Sequence, residues 1–142
     1  MKPLARLAAL ASLAGALAAC GGGDGAPDAP PPELDAAAAR ETITETQTLE
    51  PGELVEGIMT GGSRDGAQIH LVAPMKLDWN IHSHATGSAV TVHEEYDKAA
   101  VDYDFVPSTD GEWYLLIKNS GNVTAGIQVR VSLFGAMAWR WQ

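Results

Sequence analysis

Between about residues 42 and 136, apolar and polar residues alternate in short runs separated by turn signals. A strand sends successive side chains to opposite faces, whereas a helix repeats every 3.6 residues. A chain written in period two therefore buries its apolar half as sheet. Glu41 to Leu49 alternates, Pro51-Gly52 is a turn, and Leu54 to Met59 is the next run. The loop Gly61 to Gly66 leads to Ala67–Val72, which Pro74 is expected to break. Lys76–Ser83, Ala89–Glu95, Ala100–Val106, Glu112–Lys118 and Thr124–Phe134 follow, with turns at 107–111 and 119–122. These runs predict about eight strands in an all-β, antiparallel, jelly-roll-like β-sandwich. The tail Met137–Gln142 alternates too; its tryptophans are expected to cap an open end of the core, the alternative being a partner-facing patch.

The segment before this domain has a different character. Lys2 and Arg6 precede an apolar and small-residue run from Leu7 to Ala18, shorter than the ~20 residues a helix needs to cross a bilayer. The run ends in Leu17-Ala18-Ala19-Cys20. This stretch resembles the lipobox of bacterial lipoproteins. The resemblance implies that residues 1–19 are a signal peptide and that Cys20 is acylated as the first mature residue. Residues 21–39 are Gly, Pro, Ala and acids and cannot bury enough apolar area to order themselves. Residues 20–41 are thus read as anchor site and tether, and 42–142 as the β-sandwich domain. The partner implied by the lipobox is the membrane. The expected location is the bacterial cell envelope, with the outer membrane preferred because Gly21, not an acid, follows the cysteine.

Charge narrows the partners. The chain has 9 Lys and Arg against 18 Asp and Glu; loss of Lys2 and Arg6 with the signal peptide leaves 7 against 18, or −11. Such a surface opposes nucleic acid, which must be met by Lys and Arg. Cys20 is the one cysteine, so once acylated it leaves neither a disulfide nor a thiolate metal site.

Residues 101–135 carry Phe105, Gly111, Tyr114, Asn119 and Val129-Val131: two aromatic strands, turns, and a final alternating strand. They resemble the GOLD domain of emp24-type cargo proteins and the pre-peptidase C-terminal domain of secreted bacterial proteases. The resemblance implies a non-catalytic accessory or interaction domain.

Three of the four histidines fall in WNIHSHATGSAVTVHEE, residues 79–95. If Trp79, Ile81, Val90 and Val92 point inward, then Asn80, His82, His84, Thr91, His93 and Glu95 share the outer face. In that register Thr91 lies opposite His82, and His93 lies about 7–8 Å from His82 on the diagonal. An outer face of this kind is ordinarily solvated and hydrogen-bonded. It also permits copper or zinc at His82, His84 and His93, with Glu95 or water completing the set. A pH-responsive patch is the third reading. No nucleophile motif, zinc-protease motif or calcium loop appears in the sequence. The expectation is a non-enzymatic, lipid-anchored envelope module that binds a protein or small ligand, with a copper- or zinc-binding protein as the alternative.

Overall fold

Seven antiparallel strands account for most of residues 39–142, which the computed structural model describes except for Thr86. They are β1 (Glu41–Leu49), β2 (Leu54–Gly61), β3 (Gly66–Ser83), β4 (Val90–Phe105), β5 (Gly111–Asn119), β6 (Ala125–Phe134) and β7 (Ala138–Trp141). The expected all-β antiparallel class is what the chain adopts. The lipobox, Cys20 and nearly all of the tether lie outside the described residues.

The count of eight becomes seven for physical reasons. Two pairs of expected strands fuse into β3 and β4, and the tail supplies β7. Pro74 does not end β3. Residues 66–72 of β3 pair with β6, and residues 77–83 pair with β5. Pro74 sits in the interval where β3 changes partner and where its ladder to β4 jumps from Val72↔Ala100 to Leu77↔Lys98. A proline has no N–H for a ladder, and at this interval none is required.

The sheet runs β1-β6-β3-β5-β2-β7, with β4 on β3 as a branch. Because β4 follows one edge of β3, β6 and β5 must share the other, and they part at the Pro74 interval. Both halves of the curled sheet feed one core. Ile69, Leu71, Val129 and Val131 come from the first half, and Trp79, Ile81, Leu115 and Ile117 from the second, all fully buried or nearly so. Burying each such side chain contributes about 1.5–3 kcal/mol.

The tail caps this core as its alternation predicts. β7 pairs with β2, and Trp139 and Trp141 pack on the core. Trp139 crosses Gly57 so closely that a Cβ there would lie 1.8 Å from the indole. The Trp141 indole N–H donates to the Glu45 carboxylate on β1, linking the two ends of the strand order. At the other end Asn119, fully buried, donates from Nδ2 to the carbonyls of Leu49 (3.1 Å) and Val123 (2.9 Å). Its Oδ1 accepts from the Gly121 N–H at 2.9 Å.

Candidate functional site

The β3–β4 hairpin has the expected register at its tip. His82 lies opposite Thr91, and Trp79 and Ile81 point into the core. One step further the ladder slips: Ile81 pairs with His93, Asn80 with Glu94 and Trp79 with Glu95. Val92 is therefore an extra residue, a β-bulge. One inserted residue flips the face of every residue beyond it. This corrects the expected phase. Val92 is 49% exposed rather than buried, and Val90, on the tip side of the bulge where the register is the expected one, is 47% exposed as well. His93 and Glu95 turn to the core-facing side with Trp79, away from His82 and His84. The four expected metal ligands, His82, His84, His93 and Glu95, are thus divided between two faces. Among the described residues, no group of three or more His, Cys, Asp or Glu side chains is placed to hold a metal ion.

On the outer face, His82 and His84 do meet. Their rings are 5.0 Å apart and nearly perpendicular. Tyr114 of β5 joins them, stacked on His82 at 5.3 Å and edge-on to His84 at 4.8 Å. His82 Nδ1 donates to Asn80 Oδ1 at 2.8 Å, and its Nε2 lies 3.6 Å from Glu56 Oε1. The His82 imidazole is held below the ordinary histidine range chiefly by burial. Glu56 pulls it up, and the neighbouring His84 pushes it further down. Tyr114 donates its hydroxyl to Glu112, which also pairs with Arg140 of β7 at 3.1 Å. The result is an exposed His84 and a half-buried Tyr114 packed over the buried His82 and edged by charge. Beside it, the hairpin tip and the β4–β5 turn flank a cleft of about 290 Å³ lined by His84, Ala85, Thr109, Glu112, Trp113 and Tyr114.

On the inner side, His93 stacks on Tyr103 at 4.1 Å and tilts against Trp79 at 5.0 Å. Its Nε2 is buried without a hydrogen-bond partner. Glu95 is already engaged: it accepts from the Trp79 indole at 3.2 Å and lies 3.7 Å from Lys98 Nζ. Burial, reinforced by the Glu95 charge, raises the Tyr103 hydroxyl above the ordinary tyrosine range.

His70, the fourth histidine, stands on the other half of the sheet. Its Nδ1 is 2.5 Å from Asp102 Oδ1, across the β3–β4 ladder. Ser132 lines the same hollow, but its hydroxyl is bonded to Thr42 at 3.0 Å.

The sequence did not place Tyr114, Glu56 and Trp113 beside the histidines. The run Trp113-Tyr114-Leu115-Leu116-Ile117 reads as continuously apolar, which hides its sidedness. The signal was nonetheless present: strand parity puts Trp113, Leu115 and Ile117 on one face and Tyr114 and Leu116 on the other.

No protein-family model and no curated protein sequence matches the chain. Solved structures do. A mitogen from Yersinia pseudotuberculosis is similar over 68% of this chain and 87% of its own, with a TM-score of 0.50 and 14% identity. A periplasmic inhibitor of g-type lysozyme from Aeromonas hydrophila is similar over 71% of this chain and 92% of its own, with a TM-score of 0.53 and 7% identity. At such identities the likeness is one of fold.

Proposed function

We propose that this chain is a lipid-anchored, non-catalytic binding module of the bacterial cell envelope, and that its β3–β4 end docks on a protein partner. The observation that carries the reading is the shared fold with a periplasmic lysozyme inhibitor, 92% of whose length is matched. An inhibitor acts by binding, and a lysozyme-type enzyme is the partner class to test first. The local surface supports this use. Binding surfaces favour aromatic anchors beside polar groups with fixed orientation. His84 and Tyr114 present such groups at the surface; Glu112 holds the Tyr114 hydroxyl, and the buried His82 beneath them is held by Asn80 and Glu56. Cys20 and the tether would hold it within reach of partners at the membrane.

The test is the clearing of a cell-wall suspension by g-type lysozyme with increasing amounts of the full chain in neutral detergent. A stoichiometric loss of rate is expected, and His84→Glu, an exposed change, should relieve it. An unchanged clearing rate with no complex in sedimentation overturns lysozyme binding as the function.

A further inference from the structure

The bulge at Val92 also shapes a second cleft, of about 250 Å³, between the two arms of β4. Val92, Tyr103, Asp104, Phe105, Ser108 and Trp113 line it. Trp113 is 6% exposed, and its indole N–H is buried without a hydrogen-bond partner. A buried donor left unpaired is costly, so an acceptor carried in by a ligand is favoured. The volume is below the ~300–1,000 Å³ of sites that enclose drug-sized molecules. It suits one bulky side chain.

The cleft opens beside an edge. Among the described residues β4 pairs only with β3, so its second edge presents unpaired N–H and C=O groups. Charge selects what that edge accepts. β4 carries Glu94, Glu95, Asp97, Asp102 and Asp104 against Lys98, a net of −4. A second copy paired edge to edge would set −4 against −4. Residues 21–39 of this chain, with four acids and no base, are repelled as well.

We propose that the free edge of β4 receives an extended segment of a protein partner, with one apolar side chain seated in the Val92–Trp113 cleft and Lys or Arg on either side. Main-chain hydrogen bonds along the edge supply affinity, and the pocket selects the anchor residue. The Trp113 indole donates to a carbonyl of the incoming segment. The acidic rim speeds encounter and makes binding salt-sensitive. This deepens the binding-module reading and rests on it.

Fluorescence anisotropy of a labelled peptide, Lys-Lys-Thr-Val-Phe-Val-Thr-Lys-Lys, against the full chain in neutral detergent tests the proposal. Saturable binding that weakens with salt is expected. Replacing the central Phe by Gly should weaken it about tenfold, as for an anchor residue, and Glu in place of every Lys should abolish it. Val92→Lys, at an exposed position, should cost at least about tenfold, and Trp113→Phe about fivefold for the lost donor. Equal binding of the Glu peptide, or Val92→Lys protein that binds as the parent does, overturns the proposal. So does the absence of all peptide binding. If lysozyme clearing is still inhibited in that case, the binding-module reading stands and only the cleft assignment falls.

Discussion

Burial lowers the affinity of His82 for a proton in the folded chain, although Glu56 partly opposes this. The unfolded chain takes up that proton near the ordinary value of 6.5. Between 6.5 and the lower folded value, the unfolded state binds more protons, so stability falls as pH falls. Above 6.5 the contribution is complete. The melting temperature should therefore drop as the pH falls below about 6.5, and His82→Gln should remove part of that drop; identical slopes in the two proteins would refute the assignment. Asn119 works differently, since its three hydrogen bonds are made at any of these pH values. Asn119→Ala strands two carbonyls and one N–H and should cost about 3 kcal/mol in urea denaturation. A loss within experimental error would show that the amide is not a clamp. Asn119 was visible in the sequence as a turn residue. Its burial was not, because that depends on β1 and the 120–124 turn meeting around it.

Strand parity was legible over most of the sheet. Ile69 and Leu71, Trp79 and Ile81, and Ile127, Val129, Val131 and Leu133 all fall inward as their alternation requires. What alternation cannot carry is an inserted residue. Val92 has the composition of a buried strand residue, and nothing in Val90-Thr91-Val92-His93 marks the bulge that places it outside. The histidine face was accordingly read as one surface when it is two. A second irregularity, Asp97 with φ of 58°, lies in the left-handed region that Asp tolerates better than most residues. Pro74 misled for the converse reason: it marks a break in pairing, not the end of a strand. At the other margin of the sheet, β7 rests on Gly57. Gly57→Ala puts a methyl group into the Trp139 indole, and overpacking of this kind costs about 1–3 kcal/mol. The expected outcome is a lower melting temperature with red-shifted tryptophan emission as β7 lifts. Unchanged emission together with unchanged stability would show that Trp139 does not sit over Gly57 in solution.

At the scale of the whole molecule, the anchoring segment and the domain make separate claims. Cys20→Ser should leave a precursor that is neither cleaved nor acylated, and the released fraction should rise in cell fractionation. Mature protein that begins elsewhere and bears no lipid, found by mass spectrometry, would end the anchoring proposal. The strand order has a consequence of another kind. In β1-β6-β3-β5-β2-β7, only the β3–β4 hairpin and the β2–β7 edge lie outside the pattern in which an early strand needs β5 or β6. Among the described residues, β1 has no neighbour until Ala125–Phe134 has been made, and β2 pairs with nothing before residue 111. Closing such distant pairs is slow, because the loop entropy must be met before the contacts form. During synthesis, the hairpin of β3 and β4 is the piece that can form from its own residues. The first strands made must wait, exposed, for nearly the last.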